Sequence, residues 1–436
     1  MRKIPFLLFS IALTFFLNFN LAFGAEAPSG GTHSRALIVS PISENSLVTL
    51  EGNTRPEANS KNDRGRVSDD LALEHMQLQL QRPAEQEAAL EQYIAELQIP
   101  SSRNYHQWLS AEQFGEQYGL NESDLNVITA WLKGYGFEIN VYPNRMVIDF
   151  SGTAGMVRQA FQTEIHHLEV KGQSHIANMS DPRIPTALAP AIVGITSLHD
   201  FRPHTMYKSK SDYTFTSGGE TFEAVVPGDL ATIYNLNPLF TAGTTGTGQT
   251  VVVVEDTNIN PTDWNAFRLK FGLTFAKYPG AKLTQVHPAS KAPNNCTNPG
   301  VNGDGGEASL DTEWASAAAP NAAIELISCA DTATTFGGII AIQNLINATK
   351  TPPAIVSMSY GECEALTGAA SNATFNAAFQ QAVSEGVSVF VSSGDDAAAG
   401  CDRGASEAIH GIGVTGWGDT PYNVAVGGTD FGDTFA

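Results

Sequence analysis

Basic residues are scarce in this 436-residue chain: 24 lysines and arginines face 45 aspartates and glutamates, a formal net charge of −21. Such a field repels nucleic acid and anionic membrane surfaces, so neither is an expected partner. Charged residues of either sign make up only 16% and hydrophobic ones 42%, which excludes a disordered chain and leaves ample material for a core. An ordinary soluble exported protein accounts for the acidity as well as one built to work in acid. Cysteine is also sparse. Cys296, Cys329, Cys363 and Cys401 all lie in the second half, with no CxxC pair. In an exported protein an even count without ligand spacing favours disulfides over metal. Three pairings are open. We expect 296–329 and 363–401, because each would join loops that follow neighbouring strands.

Histidine is thin where hydrolytic chemistry would need it. Eight of the ten lie at or before position 204, leaving His287 and His410 beyond it. Neither sits in an HGTH-like context, so each reads first as a loop or partly buried side chain. There is no HExxH and no His or Cys pair at ligand spacing, so no metal site is expected in the chain. The glycine-rich GTTGTG and GDGGE lack the lysine and strand context of a phosphate loop. Long apolar runs are missing after residue 24. Before it, Arg2 and Lys3 precede an apolar stretch over 4–23, and small residues place cleavage after Gly24, the pattern of an export signal. The polar sequence that follows weighs against a single membrane anchor. The protein is expected in the periplasm or the external medium, with no stable membrane association after cleavage.

Residues 25–68 are polar and read as a loosely ordered lead-in passing into a first domain. The run LALEHMQLQLQRPAEQEAALEQYIAELQIP carries apolar residues at helical spacing and stops at Pro100. A second helix is expected over 122–134. INVYPNRMVIDFSG, TAGMVRQAFQ and EIHHLEVKGQSHIA then give strand, strand, helix, strand, a small α+β domain ending near 204. Residues 205–225 are rich in Gly, Ser and Thr and read as an exposed linker open to nicking.

A different grammar begins near 226. Apolar runs without polar alternation, at 250–256, 322–328, 354–361, 387–396 and 422–430, alternate with helical stretches at 261–271, 307–319, 334–347 and 372–385. That pattern predicts a parallel sheet covered on both faces, with chemistry at the C-terminal strand ends. Those ends carry Glu255, Asp256, the segment Ser357 to Gly361, and Asp395. The stretch GDGGEASLDTEWASAAAP adds Glu307 and Asp311, one helical turn apart on one face. One carboxylate could act as base while the other orients it. Singly, each feature is ordinary: first-turn acids follow the helix dipole, SGDD is a polar turn, and SxSYG is a strand end. Their combined order is specific.

In that order the residues resemble the sedolisin family, the kumamolisin-like serine-carboxyl peptidases, over nearly the whole chain after the leader. YHQWLSAEQFGEQYG, DFSGTAGMVRQAF, IANMSDPRIPTALAP and DFRPH resemble its activation prodomain. GTGQTVVVVE, GEASLD, SMSYG, SSGDD and PYNVAVGGTD resemble its catalytic domain. The resemblance implies an α/β fold: a subtilisin-like parallel sheet with helices on both faces, incomplete at its C-terminus. An α+β ferredoxin-like prodomain over 69–204 would precede it, with an autocleavage region in the linker 205–225 and a partial peptidase domain over 226–436. Glu307 would be the general base for a serine, Asp311 its orienting acid, and Asp395 a protonated donor in the oxyanion hole. Glu255 would support the acidic network, with Tyr360 standing where relatives often have Trp. Ser357, Ser359 and Gly361 would belong to the edge that pairs with an extended polypeptide substrate. The prodomain would act as folding aid and intramolecular inhibitor. Glutamate in place of histidine implies an acid optimum. An imidazole near pKa ~6.5 is protonated at pH 4, whereas a carboxyl near ~4.3 is partly ionised there.

One departure stands out. The family's nucleophile lies in an SGTSxxxP segment downstream of VGGT, and this sequence has no SGTS. Thr429 belongs to the upstream landmark. The resemblance therefore places the serine, and the ligands of the family's calcium, beyond residue 436 of a longer gene product, and the chain as written is expected to be inactive. Two alternatives stand beside this reading. One is an inactive secreted relative serving as a binding or scaffold protein. The other is a subtilisin-type protease using Asp256, although residues 300–312 read GVNGDGGEASLDT where an HGTH-like segment is needed.

Overall fold

A computed structural model describes residues 34–205, 215–217, 220–222, 225–289, 295–348, 351–403 and 405–429. The expected export signal and most of the expected cleavage linker lie outside the described residues. In the first half, β1 (Ala72–Leu80), β2 (Glu138–Val141), β3 (Val147–Thr153) and β4 (Ile192–Thr196) form an antiparallel sheet in the order β2-β3-β1-β4. Four helices accompany it: α1 (Ala84–Glu96), α2 (Ala111–Tyr118), α3 (Glu122–Gly134) and α4 (Ala154–Phe161). Helix α3 starts on Asn121, whose side chain accepts the Ser123 N–H. Its buried Leu125, Ile128 and Leu132 share a core with Met76, Leu78, Phe150 and Phe161. The helical reading of 71–100 holds only after Pro83; residues 72–80 are a strand. The lead-in is also tied down. Leu47–Thr49 pairs with Arg183–Pro185, and the Leu37 and Ile38 N–H groups donate to Asp124.

The second half is built on β5 (Thr250–Glu255), β6 (Lys282–Val286), β7 (Ala323–Ser328), β8 (Ile355–Met358), β9 (Ser388–Ser392) and β10 (Val424–Val426). These strands run parallel in the order β6-β7-β5-β8-β9-β10. Helices α5 (Pro261–Lys270), α6 (Gly305–Ala318), α7 (Gly337–Ala348) and α8 (Ala369–Ser384) cover it. Val252 and Val254 of β5 pack with Ile340 and Phe379 of α7 and α8, whereas Val253 packs with Ala308 and Trp264 on the opposite face. Both faces are therefore buried, which is why β5 reads as an unbroken apolar run. Disulfides Cys296–Cys329 and Cys363–Cys401 take the expected pairing.

The first half docks on α7 and α8. Tyr142 Oη donates to Asn344 Oδ1 at 2.8 Å, Asn144 Nδ2 to Gln381 Oε1 at 2.7 Å, and the Thr196 and Thr374 hydroxyls lie 2.6 Å apart. These groups are buried, so each depends on its partner across the joint. Among the described residues no helix is long and apolar enough to cross a membrane.

Candidate active site

The chain leaves β5 for β6 and β7 on one side of it, then resumes at β8 on the other. That reversal opens a crevice at the C-terminal ends of β5 and β8. Glu255 is fully buried at the end of β5, with Asp256 beside it. Tyr360 Oη lies 2.9 Å from Glu255 Oε2 and 3.0 Å from Asp256 Oδ1. A phenol has one proton to donate, so both contacts are hydrogen bonds only when one carboxyl is itself protonated. Electrostatics agree. Burial, then the charges of Asp331 and Asp304, pushes Asp256 up to about 7. Burial, then Asp311, holds Glu255 well above the usual carboxylate range.

Glu307 lies in the first turn of α6, where its N–H donates to the Asp304 carbonyl at 2.9 Å, and its side chain is buried. Asp311 follows one turn later. Its neighbours Ser359 and Glu307 favour the ionised form of Asp311 and act against the rise that burial causes. Glu307 Oε2, Asp311 Oδ2 and Glu255 Oε1 are buried without a hydrogen-bond partner among the described residues. An ionised carboxylate so placed is expensive. Burial therefore raises both Glu307 and Asp311; the charge of Asp311 adds to the rise at Glu307, and Ser359 offsets part of that at Asp311. The ordinary glutamate value near ~4.3 does not apply to Glu307 in this form.

Asp395 is exposed on the loop after β9, and its charge is a further cause of the rise at Glu307. Ser357 sits inside the sheet, its backbone paired with Val253 and Phe390. The free edge is thus confined to Tyr360 and Gly361. His204 and Thr205 occupy it, antiparallel, in the register His204 to Gly361 and Thr205 to Tyr360. The residues that lead into the expected linker thus pair, extended, with this edge. Arg403 holds the Thr205 carbonyl at 2.5 Å. Two cross-domain ion pairs flank this edge, and sequence reasoning missed both: Arg55–Glu362 at 2.7 Å and Arg202–Asp331 at 2.8 Å. The only sequence signal was a Glu directly after SMSYG. His287 Nδ1 is 2.8 Å from the Ser328 carbonyl and His410 Nδ1 is 2.5 Å from Asp402, so Asp256 engages neither. Among the described residues no three His, Cys, Asp or Glu side chains converge as a metal site. No donor set for a calcium ion is assigned to them, and no step is routed through one.

A family model described as the pro-kumamolisin activation domain matches residues 59–201. The chain is 28% identical over 396 residues to Kumamolisin of Bacillus sp. (strain MN-32), covering 88% of this chain and 67% of that one. The chain is thus similar to sedolisin-type peptidases over most of its length, and its first domain to the pro-kumamolisin activation domain. It is also 26% identical to Sedolisin of Pseudomonas sp. (strain 101), covering 80% of this chain and 59% of that one. Human Tripeptidyl-peptidase 1 matches at 24%, covering 79% and 60%. The chain thus spans about 60 to 67% of the length of these three relatives. A solved Pseudomonas sedolisin, complexed with pseudo-iodotyrostatin, matches at 20% identity and a TM-score of 0.36, over 47% of this chain and 53% of that one. The fold assignment rests on the sheet order above.

Proposed function

We propose that this chain is the prodomain and base-bearing part of an exported, acid-active serine-carboxyl peptidase. The observation that carries the reading is the interacting pair of buried Glu307 and partly buried Asp311, whose charges act on Glu255 at the end of β5, beside an edge already occupied by an extended segment. Glu307 would take the proton of a serine hydroxyl as its oxygen bonds the scissile carbonyl, and would later return that proton to the leaving amine. Asp311 would hold the Glu307 carboxyl in position. Protonated Asp395 would donate to the oxyanion. Tyr360 and Gly361 would align the substrate backbone. The serine is assigned to the SGTSxxxP segment that the family places downstream, and calcium to donors in that same region; this sequence includes neither.

The raised pKa values sharpen the pH argument. With the first domain docked, the pair is protonated at pH 4 and cannot act as a base. Acid activity would therefore require a rearrangement of the site that brings both carboxyls down. The test is peptide hydrolysis by the longest product of the gene from pH 3 to 8, with Glu307→Gln beside it. We expect an acid maximum and a loss of roughly 10³-fold or more in kcat in the variant. A neutral maximum would sink the mechanism. Absence of cleavage, together with a measured ligand, would favour the non-catalytic binding protein.

A further inference from the structure

We propose that Asp331 and the carbonyl of Thr332 form a subsite for a basic side chain of the substrate, two residues upstream of the one that pairs with Gly361. The inference rests on the peptidase reading above and names a feature of the substrate it takes.

The first observation is register. His204 pairs with Gly361, so Arg202 sits two residues upstream on the segment that lies along the substrate edge. Its guanidinium is held on two sides by the second domain: Nε lies 2.8 Å from Asp331 Oδ2, and Nη2 donates to the Thr332 carbonyl. The second observation is that the receiver is organised by its own domain. Asp331 Oδ1 accepts the Gly337 N–H at 2.6 Å, at the start of α7, and Thr332 Oγ1 accepts the Thr335 N–H at 2.9 Å. The Asp331–Gly337 bond lies wholly within the second domain, whereas the Thr332 and Thr335 hydroxyls also donate to the first-domain carbonyls of Glu74 and His75, so Asp331 is the part of the receiver fixed independently of the first domain.

The third observation is charge. Asp256 and Asp304 act electrostatically on this recess. Of the arginines engaged along the edge, Arg55 and Arg202 belong to the first domain and only Arg403 to the second. Departure of the first domain removes two cations and leaves the acids, so the open recess favours a cation. Glu362 serves differently. Its partner Arg55 comes from a loop off the edge-paired segment and also donates to the Leu366 carbonyl, so that ion pair docks the domain and does not mimic a substrate. Two separate nitrogens of Arg202 are used, which suits arginine better than lysine.

The experiment uses the activated full gene product and three peptides. Each carries the sequence of residues 200–205 extended by the chain's own following residues, with Arg202 kept or replaced by Lys or Ala. We expect kcat/KM about tenfold higher for Arg than for Ala, with Lys between, as one charge-assisted bidentate contact would give. Asp331→Asn should bring the Arg-to-Ala ratio to within about twofold. Equal rates with wild-type enzyme would overturn the subsite and leave the peptidase reading standing. If none of the peptides nor a denatured protein is cleaved, the peptidase reading falls, and the subsite with it.

Discussion

Glu307, the base of the proposed function, is a liability to the fold. One of its carboxyl oxygens is buried without a partner, and burial raises its pKa. For a carboxyl raised in the folded state, the stabilising contribution is complete below the unfolded value near ~4.3 and is lost as pH climbs through the folded one. A neutral isostere does not incur that loss. Glu307→Gln in this chain should therefore be more stable than wild type by about 1–2 kcal/mol at pH 8 and equal to it at pH 4, measured by urea unfolding. A variant less stable at pH 8 would mean that the ionised Glu307 has a partner. The acids of this site were legible because they follow one another in a recognisable order along the chain. The bridging role of Tyr360 was not, because it depends on β5 and β8 lying side by side, which sequence order alone does not state.

At the scale of elements, burial on both faces made the central strands easy to read, while an irregularity hid β1. Leu73 and Met76 both point into the core although they are three apart, a helical spacing. The structure achieves this with a bulge: the register shifts between Leu73 and Met76, and His75 sits at φ 56°. Met76, Leu78 and Leu80 then alternate as a strand should. β6 escaped notice because it is short, exposed in part and at the sheet's edge. Docking of the two domains was equally invisible, since it depends on close approach. A Cβ at Gly194 of β4 would lie 2.7 Å from Ala370 Cβ of α8 and collide with Asn53. Gly194→Val should thus push the first domain off α8. Limited proteolysis should release a stable second domain from the variant at least tenfold faster than from wild type, with little loss of total helix signal. Equal release would place the hold elsewhere, on the Arg55 and Arg202 ion pairs.

Across the whole molecule the shifted carboxyl groups divide largely by domain, with Asp402 of the second domain, held low against burial by bonds from His410 and the Ile409 N–H, as the exception. Asp63, held low by the Gly65 N–H and His166, Asp69, held low by Arg158, and Glu96, held low by Gln92 and Asn104, all lie in the first. Burial raises Glu255 and Asp331, Asp256 to about 7, Glu313 to about 7 and Glu385 to about 8, all in the second. The signs are opposite. Between pH 8 and about 4 the second domain gains stability as pH falls, because its folded form takes up protons at a higher pH than its unfolded chain does. Below about pH 4 the first domain loses the stability its lowered carboxylates supply. At the joint, His199 faces Arg55, Arg202 and His175, and burial followed by those charges holds it well below the usual value. It favours docking above about pH 6.5 and opposes docking below it. Acid should therefore loosen the joint while strengthening the second domain. Calorimetry at pH 8, 6 and 4.5 is expected to show one transition dividing into two, the upper rising by roughly 5 °C or more. A single transition falling steadily with pH would mean that the exposed acids of the first domain, and not the buried acids of the second, govern the molecule.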